Sequence, residues 1–308
     1  MKQMKLGNEL DVPVIGLGCM RIWDKTISEA ERLIATSREL GINFFDHADI
    51  YGGGKSEEVF AQALKNLKIP RNEVIIQTKC GIRSGFYDLS KEHIITSVEK
   101  ALKRLDTDYI DILLLHRPDT LMEPEEIAEA FSYVHSKGYV RYFGVSNFNS
   151  MQIELLISAV NYKLLTNQLQ LSLTNTGMID SGIFANTKFA QSINRDGSVL
   201  EYCRLKGMTI QAWSPFQYGN EYGNIQGVFI DNPLFPDLNV KLEYLAKKYN
   251  VSKEAIAIAW ILRHPAKIQP IVGTTSADRL RKIAQAHDVE LTREEWYSLY
   301  IAAGNMIP

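Results

Sequence analysis

Three apolar runs of this chain end on polar residues of complementary charge. Phe44-Phe45 ends at Asp46, Ile75-Ile76-Gln77-Thr78 at Lys79, and Leu113-Leu114-Leu115 at His116. Tyr51 follows the first of these by five residues, in Asp46-His47-Ala48-Asp49-Ile50-Tyr51-Gly52. An ammonium beside a phenol stabilises the phenolate and lowers the phenol's pKa, and a carboxylate paired with that ammonium fixes it in place. A phenol tuned in this way can deliver a proton, while an imidazole can hydrogen-bond a carbonyl oxygen as charge develops there. Each residue alone has a plainer use: Asp46 as a turn former, Lys79 as a solvated loop lysine, His116 as a satisfied histidine before Arg117-Pro118. Those uses do not require all three at the ends of successive runs.

The runs themselves number eight: Val12 to Leu17, Ile42 to Phe45, Val74 to Thr78, Tyr109 to Leu115, Tyr139 to Val145, Leu164 to Asn167, Thr209 to Trp213 and Ile268 to Val272. They are β-branched or aromatic and mostly continuous, the pattern of parallel strands covered on both faces. Segments of helical periodicity separate them, as in Ile94, Val98, Ala101, Leu102 and Leu105. Ser28 with Glu31, and Thr292 with Glu295, fit the S/T-x-x-E capping box. Eight strand-then-helix units in about 270 residues predict a (β/α)8 TIM barrel, for which about 250 residues is typical. No linker or composition shift divides the chain, so residues 1–308 read as one barrel domain, with an N-terminal hairpin and extra helices.

Two stretches interrupt the alternation. Leu171 to Ser198 follows the sixth strand and is rich in Asn, Thr, Ser and Gly; Pro215 to Pro236 follows the seventh and carries aromatics and glycines. Both are expected as long loops on the carboxyl face, where barrels place their active sites. Two helical patterns between Leu238 and His264 precede the eighth strand, and Ile301 to Pro308 reads as a tail. Closure of the barrel would bring the strand ends together, adding Ser146-Asn147, Gln168 and Trp213-Ser214 to the mouth that holds Asp46, Lys79 and His116.

These residues resemble the aldo-keto reductases, from Gly16-Leu17-Gly18 to the helix around Arg279. The resemblance rests on Asp46-x-Ala48-x-x-Tyr51-Gly52, Lys79, Leu114-Leu115-His116, Gly144-Val145-Ser146-Asn147-Phe148, Gln168, and Val272-Gly273-Thr274 before Arg279. It implies a barrel that binds NADP(H) across its carboxyl face and reduces an aldehyde or ketone to an alcohol. By position, Tyr51 is then the proton donor, Asp46 and Lys79 tune it, and His116 orients and polarises the substrate carbonyl. Ser146, Asn147 and Gln168 would hold the nicotinamide carboxamide, and Trp213 would stack on the ring's other face. Ser214 and Pro215 continue along the pyrophosphate path. Arg279 falls where the 2′-phosphate is gripped, which favours NADP over NAD. Gly273 stands where relatives often carry lysine and Ile283 where they carry asparagine, with Thr274 able to supply a hydroxyl or amide instead. Met20 and Arg21 follow the first strand near cofactor and substrate, and Trp23 is placed to wall the substrate pocket; barrel-mouth packing explains Met20 and Trp23 equally well. Asn175, Phe184, Phe216, Tyr218 and Tyr222 suggest a mixed polar and aromatic substrate pocket.

Composition narrows the alternatives. Hydrophobic residues make up 45% and charged residues 23%, ordinary globular proportions, and the net charge is -2. Scattered Lys and Arg argue against a nucleic-acid or membrane surface, and no stretch approaches about 18 uninterrupted apolar residues. Met1-Lys2-Gln3-Met4-Lys5 leads into Gly and Asn rather than an apolar segment, so a cytoplasmic protein is expected. The three cysteines, Cys19, Cys80 and Cys203, build no disulfide framework and are expected as reduced, buried thiols. Gly16-Leu17-Gly18-Cys19-Met20-Arg21 fails as a dinucleotide fingerprint because Arg21 replaces the third glycine, and Asp49 spoils a phosphate loop ending at Lys55-Ser56. A metal hydrolase using Asp46, His47, Asp49 and His116 is the rival enzyme, but it leaves Lys79, Tyr51 and the Ser146-Asn147/Gln168 set idle; no metal is expected. A reductase-like subunit that binds NADPH as a sensor is the rival of a different class. The expected partner is a small carbonyl compound, and no surface patch fixes an oligomeric state.

Overall fold

A computed structural model of the chain describes residues 1–219 and 225–308. Eight parallel strands close into a barrel in sequence order: Gly16–Gly18, Phe44–Asp46, Ile75–Cys80, Ile110–Leu115, Val140–Ser146, Leu164–Gln170, Thr209–Trp213 and Gln269–Val272. The eighth strand pairs with the first through Ile271 and Gly16, which completes the ring. Among the described residues, no helix is long and apolar enough to cross a membrane.

The run from Val12 to Leu17 is not one strand. It splits into Leu10–Pro13, which pairs antiparallel with Gln3–Leu6, and the barrel strand Gly16–Gly18. Pro13 has no amide hydrogen to extend a ladder, and its carbonyl instead accepts from Gln269 Nε2 at 2.7 Å. The hairpin closes the amino end of the barrel: Leu6 and Val12 pack with Phe44, Ile112, Leu114, Leu165 and Ile271 in a small interior core. The larger core lies between strands and helices, where Val98 and Ala101 of the helix Lys91–Arg104 are buried. Burial of a side chain such as Val98 stabilises the fold by about 1.5–3 kcal/mol, and that of the smaller Ala101 by less.

The second capping box is as expected, with Glu295 N donating to Thr292 Oγ1 at 3.2 Å and Thr292 N to Glu295 Oε2 at 2.8 Å. The first is shifted by two residues. Ser28 lies inside the helix Ile27–Glu39, whereas Thr26 has the extended backbone an N-cap needs and forms the box with Glu29. Glu31 accepts from Asn66 Nδ2 instead.

Both long insertions lie after the strands where they are expected, and both are partly ordered. The first carries a helix, Gly177–Ile183, and a turn of 3-10 helix, Ala190–Ser192; the second forms a hairpin of Gln217–Gly219 with Ile225–Val228. Tyr222 lies outside the described residues. Helices Pro236–Tyr249 and Lys253–Leu262 match the doubled pattern before the eighth strand, and the last helix, Arg293–Ala302, reaches just into the expected tail. All three cysteines are free and buried.

Candidate active site

The second barrel strand ends at Asp46 and the third at Cys80, one residue past Lys79, so the two side chains meet inside the barrel. Lys79 Nζ lies 2.7 Å from each carboxylate oxygen of Asp46 and donates to the His47 carbonyl at 2.8 Å. Its fourth neighbour is Tyr51 Oη at 3.3 Å. Tyr51 reaches this position because Gly52, Gly53 and Gly54 turn the chain through three left-handed conformations before the helix Lys55–Asn66. A side chain on Gly52 would also collide with Trp23, which packs on that turn. His116 follows the fourth strand, with its ring edge-on to Tyr51 at 6.1 Å between centroids.

Electrostatics follow from this burial. Burial pulls the Lys79 ammonium down, but Asp46 and Tyr51 more than offset it and hold its pKa above the ordinary value. The Tyr51 phenol moves up rather than down: loss of solvent outweighs the pull of Lys79. The expected lowering is therefore overturned in the protein alone, where the phenol is neutral and holds its proton. Burial, reinforced by Lys79 and Arg117, pushes the His116 imidazole well below its usual range, so it is neutral at pH 7. His116 Nδ1 is buried without a hydrogen-bond partner.

Under these groups lies a network that the sequence reading did not identify. Gln77 Nε2 donates to Asp46 Oδ1 at 2.6 Å and lies 2.9 Å from Gln211 Oε1. Gln168 Nε2 reaches the same two acceptors at 3.0 and 3.1 Å, and Gln211 Nε2 donates to Gln269 Oε1 at 2.9 Å. All four glutamines are buried. Gln168 thus sits within its strand rather than at its end, with its amide nitrogen committed to the carboxylate. The available signal was the dipeptide Ile-Gln, which recurs in three otherwise apolar runs at 76–77, 210–211 and 268–269.

Above the Asp46-Tyr51-His116 group opens a cavity of about 370 Å³. Met20, Arg21, Ser146, Asn147, Gln168, Trp213, Ser214, Pro215, Gly273, Thr274 and Arg279 all line it, so the predicted cofactor residues converge. Lys79 lies beneath it, fully buried. Trp23 is not among its lining residues, because that side chain is spent on the Gly52 turn. Of the aromatic loop residues Phe216 lines the cavity, while Tyr218 packs edge-on against Phe235 and Phe184 against Phe189. Ile283 is fully buried in the core.

The walls suit a dinucleotide. Asn147 and Ser214 hold left-handed backbone at φ 62° and 52°, a strained state that clusters at functional sites. Asn147 is pinned: its Nδ2 donates to Ser146 Oγ at 2.8 Å, and Trp213 Nε1 donates to its Oδ1 at 3.2 Å. This fixes the indole at the cavity wall, where a flat ring can stack. Arg21, Arg117 and Arg279 all line the cavity, and the one carboxylate among its described lining residues, Asp46, is neutralised by Lys79; a polyanion is therefore favoured. Arg279 is exposed on the first turn of the helix Ala277–Ala284 and forms no ion pair among the described residues. The Thr274 hydroxyl accepts from Ser276 N at 3.2 Å, so it is occupied within its own turn.

The metal alternative loses its donor set. His47 turns into the apolar layer against Phe60, with ring centroids 4.6 Å apart, and burial pushes its pKa down to about 3. Among the described residues no three His, Cys, Asp or Glu side chains converge in a metal-ligating group.

Comparison with known proteins adds an independent line. Residues 14–302 match the sequence model of the Aldo/keto reductase family. The chain is 36% identical to the uncharacterized oxidoreductase YcsN of Bacillus subtilis, over 98% of both chains. It is 34% identical to the 6-dehydroglucose reductase of Agrobacterium fabrum, again over 98% of both. Among solved structures it resembles a thermostable aldo-keto reductase in complex with the inhibitor epalrestat, with a TM-score of 0.79 and 27% identity over 98% of this chain and 100% of that one.

Proposed function

Because this chain belongs to the aldo/keto reductase family, we propose that it reduces an aldehyde to an alcohol with NADPH, Tyr51 giving the proton. The observation that carries this reading is the contact of Tyr51 Oη with Lys79 Nζ at 3.3 Å, at the floor of a cavity walled by His116 and three arginines. When bound, NADPH supplies the hydride. The chain's own residues do the rest. His116, neutral and lining the cavity with an Nε2 that is neither buried nor bonded to protein, is suited to hydrogen-bond a substrate oxygen. A phenol that keeps its proton is the required ground state for a general acid facing a far more basic alkoxide. As the proton leaves, the nearby Lys79 ammonium stabilises the phenolate. Gln168 has its nitrogen engaged, which leaves its carbonyl oxygen to accept from a nicotinamide carboxamide, alongside Ser146 and Asn147. Trp213 would stack on the ring, and Arg279 would take the 2′-phosphate.

The likeness to 6-dehydroglucose reductase supports a sugar-derived aldehyde as the substrate class. A fluorescence titration with NADPH and NADH, followed by a carbonyl panel with the preferred nucleotide, tests the function. We expect tight NADPH binding and steady turnover of aldehydes; tight binding without turnover of any carbonyl would favour a sensor. Tyr51→Phe should lower kcat by about 10²–10⁴ with NADPH affinity kept, the range for loss of a positioned acid. Turnover unaffected by that change removes Tyr51 from the mechanism.

A further inference from the structure

A second cavity, of about 700 Å³, lies beneath the segment that follows the sixth strand. It abuts the catalytic one. Asn147 lines both, and of two consecutive residues after His116, Arg117 lines the catalytic cavity and Pro118 the second.

Its polar lining is mainly neutral, with one guanidinium, Arg195, where the catalytic mouth has three. Asn149, Gln152, Gln170, Asn175, Ser181 and Gln191 line it, all neutral groups that both donate and accept. Asn149 and Gln152 spend their carbonyl oxygens in a capping box at the start of the helix Ser150–Ile157 and keep their NH2 groups free. Among the described residues, the side chains of Gln170, Asn175, Ser181 and Gln191 carry no hydrogen bond. In the catalytic cavity, by contrast, the NH2 groups of Asn147 and Gln168 are committed to protein acceptors. Of the carboxylates here, Asp180 Oδ1 accepts from Tyr300 Oη at 2.6 Å and Asp196 Oδ1 from Val199 N at 3.4 Å. Leu169 and Met178 supply buried apolar wall beside these polar groups. Free carboxamides around an apolar wall match a ring that carries hydroxyls on its edge and C–H groups on its face.

We infer that this cavity binds the hydroxyl groups of a polyhydroxylated aldehyde, the carbonyl carbon of which sits between Tyr51 and His116. The inference rests on the reductase reading above and names the part of the chain that selects among aldehydes. A site whose polar groups pair with substrate hydroxyls rejects an analogue that lacks them, because those groups are left unpaired.

The test is a matched pair of substrates: a methyl hexopyranoside oxidised to the aldehyde at C6, and tetrahydropyran-2-carbaldehyde. The second keeps the ring and the oxygen beside the carbonyl-bearing carbon but has no hydroxyls. With NADPH, the ratio of kcat/KM for the two should exceed about tenfold in favour of the hydroxylated aldehyde, the equivalent of one or two hydrogen bonds. Gln170→Leu, Asn175→Leu and Gln191→Leu, each made singly, should reduce that ratio. A ratio near one in the native protein overturns the inference, as does a ratio unaltered in all three variants. Reduction of neither aldehyde, nor of any other carbonyl, would instead refute the reductase reading, so the two failures are separable.

Discussion

Replacing Asp46 by Asn tests the ion pair on which the site depends. The change keeps volume, so it leaves no cavity, but it removes the charge that faces Lys79, and both side chains are almost wholly buried. Asp46 Oδ1 accepts from Gln77, Gln168 and Lys79, whereas Oδ2 accepts from Lys79 alone. The new amide nitrogen therefore goes to the Oδ2 position, where it confronts the ammonium. Breaking one side of a buried pair costs about 3–5 kcal/mol. For 308 residues at about 2.1 cal/mol/K each, the unfolding entropy is about 0.65 kcal/mol/K, so Tm should fall by about 5–8 °C at pH 7.

The pH dependence supplies the sign. In the native protein the Lys79 pKa is raised, so its stabilisation is complete below the unfolded value of about 10.4 and is lost as pH climbs through the folded value. Without Asp46, burial acts largely unopposed and the folded pKa falls below the unfolded one. The penalty in the variant is then relieved as pH rises, and the Tm gap between the two proteins narrows from pH 7 to pH 10. Differential scanning fluorimetry across that range measures it directly. A gap under about 2 °C at pH 7, or one that stays constant to pH 10, refutes the reasoning. In parallel, the alkaline limb of the kcat profile should move to lower pH, since a neutral Lys79 no longer stabilises the phenolate.

Gln77→Met keeps the packing but removes the 2.6 Å donor to Asp46, so stability should fall by about 1.5–3 kcal/mol, the range for a bond to a charged group. A positioning role predicts a shifted pH profile of kcat with NADPH affinity unchanged; equal loss in both marks a merely structural one. Arg279→Ala should weaken NADPH by about tenfold or more and NADH by less than about twofold, as read by fluorescence titration. Equal weakening of both would place the guanidinium in the fold rather than on the phosphate. Asp49 is pushed up to about 7 by burial and then by Glu57, against the pull of Arg104. A raised carboxyl contributes stability below its unfolded value of about 3.9 and loses it as pH rises to about 7. Asp49→Asn should therefore gain Tm over the native protein between pH 5 and pH 8, and a pH-independent difference would contradict the shift.

The barrel was legible because its strands are covered on both faces and read as apolar runs, the seventh of them with the same bounds in sequence and structure. The site was legible to the extent that its groups end those runs: Asp46, His116 and Trp213 stand where a strand must release the chain to the mouth. Local exchange of partners was harder to read. Thr26 rather than Ser28 caps the first helix because the N-cap is chosen by backbone conformation, and both residues satisfy the pattern. Trp23 was open to the pocket wall or to barrel-mouth packing, and the left-handed Gly52 turn takes its ring. Of the buried glutamines, Gln77, Gln211 and Gln269 were passed over because, within one strand, a lone Gln marks neither an end nor a face.

What the sequence determined by itself was the set of elements and the polar groups that gather at the barrel mouth, since periodicity, strand ends and residue chemistry are local properties of the chain. The tertiary structure alone decided how those groups are tuned. Burial outweighs Lys79 at Tyr51 and leaves the phenol neutral. Asp46 receives donors from strands 31 and 122 residues away in the chain, through Gln77 and Gln168. Solvent exclusion and hydrogen bonds across a closed barrel depend on which distant strands become neighbours, and barrel closure is what brings them together.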